Sequence, residues 1–164
     1  MTKDEIIAFV DGLDGVLTLR PAPGDGTPEI AWGDAFFYHS PDGTVPTTTQ
    51  PFATIVTKDY PEDQTSRLNR PDTFRVNIAV GRDEFVRRTG HAPRDTGDAP
   101  RDAAPDDVDP GTPDTLIVHP VYGSLGWLAV VNPGPNTGAT VLDLLRLAHA
   151  LARKRYERRD AATR

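Results

Sequence analysis

The stretch T-F-R-V-N-I-A-V, residues 73–80, decides the fold class. Apolar and polar side chains alternate along it, with Phe74, Val76, Ile78 and Val80 on one side and Arg75, Asn77 and Ala79 on the other. Successive side chains of a strand point to opposite faces of a sheet, so the pattern predicts one buried face and one polar face. A sheet that is covered on one face only is typical of antiparallel pairing.

Strand signals also occur on both sides of this stretch. Short runs rich in aromatic or β-branched residues predict strands at 16–20, 29–39, 52–57, 115–118 and 126–131. Segments rich in Pro and Gly separate these runs, as turns require. We expect Gly33 to kink the run at 29–39 or to divide it into two strands.

Three helices are predicted around the strands, at 3–12, 82–89 and 138–158. The first begins with a T-x-x-E capping box at residues 2–5. Gly90 is the expected C′ residue of the second helix. Either Asn136 or Thr137 caps the third.

The order of the elements indicates an α+β fold. A helix, a series of strands, a short helix, further strands and a last helix predict a single domain over residues 1–164. We expect an antiparallel sheet of about five or six strands, with the N- and C-terminal helices packed mainly on one face. The chain of 164 residues is 37% hydrophobic, which suffices for one core.

The composition argues against several classes of protein. The chain has no Cys, and its His, Asp and Glu show no metal-ligand spacing, so we expect no metal site. Gly-rich phosphate loops are absent from the sequence, and we expect no cofactor. No run of about 18 apolar residues and no apolar signal region occur, which predicts a soluble, cytoplasmic protein without a membrane partner. The net charge of −6 disfavours nucleic acid as a partner.

Charge is unevenly distributed along the chain. Residues 91–114 contain seven Asp, five Pro and two Arg, which predicts a mobile acidic loop. Residues 146–164 contain seven Lys or Arg and two acidic residues, so the last helix has a basic end at 153–164. Three interpretations remain open: two solvated surfaces, a contact between loop and tail, or a tail that touches an acidic partner.

The polar face of the 73–80 strand is the first candidate site. Arg75 and Asn77 stand side by side on it. A guanidinium group and an amide together suit a small anionic ligand, although an ordinary exposed polar face has the same pattern. Asp34 adjoins large aromatic residues. We expect it to form a buried ion pair, for example with Arg75, or to act as an acid with a raised pKa.

The stretch H-P-V-Y-G-S-L-G-W-L-A-V-V-N-P-G, residues 119–134, is the second candidate. Pro120 favours an extended conformation at His119, and a His at the end of a strand can act as a general base. Trp127 alternates with Ala129, so it belongs either to the core or to an aromatic wall. In the second case Trp127 or Tyr122 would stack on a flat ligand.

Four motifs extend over most of the chain: A-W-G-D-x-F-F (31–37), P-F-A-T-I-V-T-K-D-Y-P (51–61), R-V-N-I-A-V-G-R-D-E-F (75–85) and H-P-V-Y-x-x-x-G-W-L-A-V-V-N-P-G (119–134). As a set they resemble an uncharacterised domain-of-unknown-function family of about this length, found chiefly in high-GC actinobacteria. The acidic loop at 91–114 is the variable part. This resemblance implies no activity and no catalytic residue.

The order of elements resembles a second group, the MmcQ/YjbR-like proteins. The shared features are a His before a Trp-containing strand, followed by a C-terminal helix. Members of that group are described as DNA-binding from fold and context, so the resemblance implies a nucleic-acid-associated protein. Only the order of elements and this ending match, and the acidic charge argues against DNA.

The first functional hypothesis is a small-molecule-binding module on the polar face of the sheet. Arg75 and Asn77 would bind polar groups of the ligand, and Asp34 would orient Arg75. Trp127 or Tyr122 would supply an aromatic wall. The substitution Arg75→Ala is then expected to leave a folded protein that has lost its ligand.

Two further hypotheses come from other classes of protein. An interaction or nucleic-acid-associated protein would use the basic helix end Arg153–Arg159. An enzyme would use His119 as a general base, with Asp34 or Lys58 as its helper. The sequence leaves the oligomeric state open.

Overall fold

The computed structural model describes residues 1–93 and 108–163, which contain one antiparallel sheet of six strands. The strands are β1 (Val16–Leu19), β2 (Ala35–His39), β3 (Ala53–Val56), β4 (Arg75–Ala79), β5 (Leu116–Val118) and β6 (Trp127–Val131). Their order across the sheet is β1-β2-β3-β4-β6-β5, and every neighbouring pair is antiparallel. The predicted α+β fold is therefore confirmed.

Three α-helices accompany the sheet in this part of the chain: α1 (Lys3–Asp11), α2 (Gly81–Thr89) and α3 (Gly138–Ala162). The predicted capping box starts α1, where Thr2 Oγ1 accepts the Glu5 N–H and the Glu5 carboxylate accepts the Thr2 N–H. Gly90 ends α2 with a φ of 83°, as predicted. None of these helices combines the length and the apolar character that crossing a membrane requires.

The helices cover one face of the sheet and form the core with it. The packed side chains come from alternate strand positions and from the inner faces of α1 and α3, namely Phe37, Ile55, Val76, Ile78, Leu128, Val130, Ile6, Val10, Leu144, Leu145 and Ala148. β4 alternates as its sequence predicts. Val76 and Ile78 belong to this core, whereas Arg75 and Asn77 line a cavity on the opposite face.

The run at 29–39 differs from its prediction. Residues 29–31 form a 3₁₀ turn, and β2 begins only at Ala35. Gly33, which lies between the turn and the strand, has a φ of 89°, and this conformation interrupts an extended backbone. The run is therefore divided at Gly33, but into a turn and a strand instead of two strands.

The start of α3 and the acidic segment are linked. Thr137 holds the N-cap position of the helix, as predicted, but its hydroxyl donates to Asp114 instead of accepting an N–H of the helix. The predicted mobile loop at 91–114 lies largely outside the described residues. Its last residues belong to the folded domain, since Asp109 accepts from Arg67 at 3.0 Å and Asp114 accepts from the backbone N–H groups of Asn136 and Thr137, directly before α3.

Candidate ligand-binding site

The face of the sheet opposite the helices carries a cavity of about 490 Å³, here called the sheet cavity. Its strand residues are Phe36, Tyr38, Thr54, Val56, Arg75, Asn77 and Trp127. Residues from the segments 28–31, 50–51, 60–63 and 119–125 complete its lining. Small-molecule sites have roughly this volume and this mixture of many apolar and few polar groups.

Arg75 lies in the floor of the sheet cavity and is only 1% exposed. Its Nε donates to Asn77 Oδ1 at 2.7 Å, and its Nη1 donates to Ser66 Oγ at 2.9 Å. Nη1 and Nη2 together form a two-pronged ion pair with Asp63. Burial acts to raise the pKa of Asp63, but the hydrogen bonds and the charge of Arg75 outweigh it and lower that pKa.

A tight turn brings Asp63 to Arg75. Tyr60 and Asp63 exchange two backbone hydrogen bonds, of 3.2 and 2.9 Å. Pro61 occupies the second position of this turn, which its fixed φ favours. The carboxylate that orients Arg75 is thus Asp63, and the prediction that Asp34 does so is wrong.

Asp34 belongs to a separate buried ion pair. Its carboxylate accepts from Lys58 Nζ at 3.1 Å and from the backbone and hydroxyl of Thr57 at 2.8 and 2.7 Å. The predicted buried ion pair is confirmed, with Lys58 as the cation. The Tyr60 hydroxyl also donates to Asp34, and burial followed by this hydrogen bond raises the pKa of Tyr60. Since Tyr60 lines the sheet cavity, Asp34 is connected to the cavity through that side chain.

His119 lies next to Arg75 in the lining, with its Nε2 at 3.2 Å from Arg75 Nη2. Its Nδ1 accepts the backbone N–H groups of Val121 and Tyr122 at 3.0 and 2.9 Å. The turn after β5 is therefore folded around the imidazole. Burial and then the charge of Arg75 lower the pKa of His119 to about 3, so the ring is neutral near pH 7.

Tyr122 and Trp127 form an aromatic wall against His119. The ring centroids of Tyr122 and Trp127 lie 4.8 and 6.2 Å from that of His119 and 6.0 Å from each other. Trp127 is 9% exposed and faces the sheet cavity, whereas Tyr122 is 44% exposed. Of the two interpretations of Trp127, the structure supports the aromatic wall over the helix-facing core.

Comparison with known proteins identifies one family. Its model, described as a family of unknown function (DUF6194), matches residues 1–161. The chain belongs to this family. No curated protein and no solved structure matches the chain significantly.

Membership in the DUF6194 family confirms the resemblance to an uncharacterised family over nearly the whole chain. The family description names no activity, so the chemistry of the site rests on its own geometry. Across residues 1–93 and 108–163, no group of three or more His, Asp or Glu is placed to hold a metal ion.

The geometry gives little support to a catalytic His119. A general base works best with a pKa near the operating pH, whereas the pKa of His119 is lowered to about 3. The ring nitrogens of His119 contact Arg75 and the backbone of the following turn, and its predicted helpers Asp34 and Lys58 pair with each other. The predicted catalytic group is not assembled by direct contacts.

Several polar residues of the site were not predicted from the sequence, among them four that form its hydrogen bonds: Thr54, Tyr60, Asp63 and Ser66. Thr54 lies on the polar face of β3, where its hydroxyl accepts from Asn77 at 2.9 Å, and strand alternation could have found it. The other three lie in the segment after β3. A buried Arg on β4 implies a carboxylate partner, but 24 Asp and Glu residues are available and spacing alone does not select among them.

Proposed function

We propose that this protein is a small-molecule-binding module and that its ligand occupies the sheet cavity. The observation that carries this proposal is a polar floor buried inside an aromatic-walled cavity on the helix-free face. An ordinary solvated face would leave Arg75 exposed to water. Here the guanidinium is buried and held by Asp63, Ser66 and Asn77. Burying such a charge requires pairing, and pockets that orient ligands have this construction.

The charges of the site favour an uncharged ligand over an anion. Arg75 is the cation of the lining, and Asp63 already neutralises it. Glu62 adds a further negative charge to the lining. An anion brought into the cavity would give up its hydration without meeting an uncompensated positive charge. A largely apolar ligand, in contrast, is matched by Phe36, Trp127 and the neighbouring aromatic rings.

The proposal is tested by blocking the cavity. Ala31 belongs to the lining, so Ala31→Trp is expected to fill the space without touching the polar floor. We expect uncharged aromatic fragments to shift backbone amide NMR signals around Trp127 and Tyr122 in the natural protein. In the Ala31→Trp variant these shifts should fall at least about tenfold at equal fragment concentration, because the ligand volume is occupied.

Ala22→Trp is the matched control, since Ala22 is exposed and outside the cavity lining. This variant should bind fragments as the natural protein does. Fragment binding that survives Ala31→Trp, or a natural protein that binds no fragment in the cavity, would contradict the proposal.

An interaction surface at the end of α3 is the second candidate function. From residue 153 to 163 the helix is exposed except at Tyr156, which is partly buried. Although Arg155 is exposed, partial desolvation by its neighbours and then the nearby charges of Arg159 and Arg158 lower its pKa, so cations crowd together there. Such a surface favours an acidic partner, as the likeness to the MmcQ/YjbR-like group also suggested. It does not depend on the sheet cavity.

A further inference from the structure

We propose that the ligand of the sheet cavity carries an uncharged carbonyl oxygen that accepts two hydrogen bonds, one from His119 Nε2 and one from Arg75 Nη2. This inference rests on the proposed function and specifies the chemical class of the ligand. It follows from the hydrogen-bond pattern of two neighbouring side chains.

The first step is the tautomer of His119. Its Nδ1 accepts two backbone N–H groups, from Val121 and Tyr122. A neutral imidazole has one N–H and one acceptor nitrogen, so the proton of His119 lies on Nε2. A doubly protonated ring would be unfavourable here, because its Nδ1 proton would point at two backbone N–H donors. The arrangement therefore agrees with a neutral imidazole.

The second step is the neighbour of that proton. The hydrogen-bond-distance contact of His119 Nε2 in the described residues is Arg75 Nη2, at 3.2 Å. A guanidinium group only donates, so two N–H groups face each other without an acceptor. The guanidinium group of Arg75 has five N–H groups. The Nε N–H donates to Asn77, the two N–H groups of Nη1 donate to Asp63 and Ser66, and one N–H of Nη2 donates to Asp63. One N–H of Nη2 and the N–H of His119 therefore remain to be satisfied.

The third step is the acceptor that these donors require. A buried donor without a partner is costly, so an oxygen atom placed on the cavity side within hydrogen-bond distance of both nitrogens would be strongly favoured. Both side chains line the sheet cavity, so such an oxygen can belong to a ligand. The structure thus assigns His119 Nε2 and Arg75 Nη2 as the two hydrogen-bond donors for the ligand.

The fourth step is the charge of that oxygen. Glu62 and Asp63 outnumber Arg75 among the formally charged residues of the lining. A carboxylate would therefore be repelled by the lining as a whole, whereas a ketone or amide oxygen accepts two hydrogen bonds without a net charge. The aromatic wall of Tyr122 and Trp127 suits an aromatic or otherwise apolar body attached to this carbonyl.

The tautomer is tested first, without a ligand. Two-bond and three-bond ¹H–¹⁵N correlations of the imidazole rings show which nitrogen is protonated. We expect the Nε2–H form for His119 near neutral pH. The signals are assigned by their loss in His119→Gln, or by elimination with variants of His39, His91 and His149 if that protein does not fold. A ring of His119 protonated on Nδ1 would overturn the inference.

The ligand class is tested with three probes of one shape: 2-acetylnaphthalene, 2-naphthoate and 2-ethylnaphthalene. They present a ketone, a carboxylate and no acceptor on the same aromatic body. Titrations followed by amide NMR are expected to give a Kd for the ketone about tenfold lower than for either other probe, as two good hydrogen bonds imply. The His119 Nε2 signal should shift with the ketone.

The outcomes separate the inference from the proposed function. Equal binding of the hydrocarbon or the carboxylate would overturn the inference and leave the sheet cavity as a binding site. If none of the three probes shifts a signal of the cavity, the inference fails. The proposed function itself would be contradicted if no fragment of the wider uncharged aromatic set shifted the amide signals around Trp127 and Tyr122.

Discussion

At the scale of single residues, the ion pair between Arg75 and Asp63 is the most consequential contact of the site. Replacing Arg75 with Met is expected to lower the free energy of unfolding by about 3 to 5 kcal/mol, because it leaves the Asp63 carboxylate without its partner. For Arg75→Ala, for which the sequence predicts a folded protein without its ligand, a loss of stability is therefore expected as well. Urea unfolding followed by circular dichroism measures the change.

The double variant Arg75→Met with Asp63→Leu should recover much of this loss, since neither buried charge then remains. The exposed pair Arg146 and Asp143 on α3 is the control. Removing either of these two should change the free energy of unfolding by less than about 1 kcal/mol. A double variant as unstable as the sum of its single variants would show that the two charges act independently.

At the scale of elements, Asp114 fixes the beginning of α3. Its carboxylate accepts the backbone N–H groups of Gly134, Asn136 and Thr137 and the Thr137 hydroxyl. The hydrogen bond from the Thr137 hydroxyl, together with the backbone donors, outweighs desolvation and holds the pKa of Asp114 at about 2. A carboxylate at a helix N-terminus also faces the positive end of the helix dipole.

Because the folded pKa of Asp114 is below the unfolded value, its stabilisation is present above the unfolded pKa. It should be lost progressively as the pH falls from about 4 toward 2. The substitution Asp114→Asn is expected to lower Tm at pH 7 and to flatten the dependence of Tm on pH in that window. Asn tolerates the left-handed backbone of this position, where φ is 52°.

Asp143→Asn is the control for this measurement, since Asp143 is an exposed carboxylate on the same helix. Its Tm should follow the natural protein over the whole pH range. An unchanged pH profile of Asp114→Asn would mean that the first turn of α3 does not depend on that carboxylate.

The elements also show how far the sequence predicts this fold. β4 follows from alternation alone, because Val76 and Ile78 need the core whereas Arg75 and Asn77 do not. At 29–31 the sequence predicts a strand, whereas the structure has a 3₁₀ turn. Three residues of such a turn have no periodicity of their own by which it could be recognised. The carboxylate that binds the backbone directly before α3 is Asp114, which lies about 20 residues earlier in the chain. A capping rule that considers only neighbouring residues therefore does not find it.

At the scale of the whole molecule, the sequence predicted the strand residues of the site together with His119 and Tyr122, and missed the polar residues of the segment 60–66. Arg75 and Asn77 lie on the face that alternation indicates, and Trp127, for which alternation left two faces open, lies on the same face. Asp63 and Ser66 reach Arg75 only because a turn returns the chain to β4. That contact depends on the tertiary fold, so no pattern within the loop itself encodes it.

The prediction at this scale concerns the surface charge of the protein at the basic end of α3. If it binds an acidic partner, the protein should be retained on heparin at low salt and released as salt increases. Neutralising Lys154, Arg155 and Arg159 with Gln should abolish this retention, because these cations lie on the exposed helix end. Elution from the column as a function of salt is the measurement.

The control replaces Lys3, Arg20 and Arg82 with Gln, which removes the same number of positive charges elsewhere. This protein should elute close to the natural one. Equal loss of retention in both variants would point to net charge alone, and the absence of retention at low salt would leave the end of α3 as a solvated surface.

The division of the sheet cavity between strands and loops has a consequence for the choice of ligand. The donors lie on or directly after strands whose other face forms the core, so changing them disturbs the fold. Much of the apolar lining, by contrast, comes from the segments at 28–31 and 121–125, which the core does not include. Substitutions in those segments can reshape the space around a ligand while the donors stay in place. If the sheet cavity binds a ligand as proposed, substitutions confined to these two segments are expected to change which molecules it accepts without changing the donors that hold them.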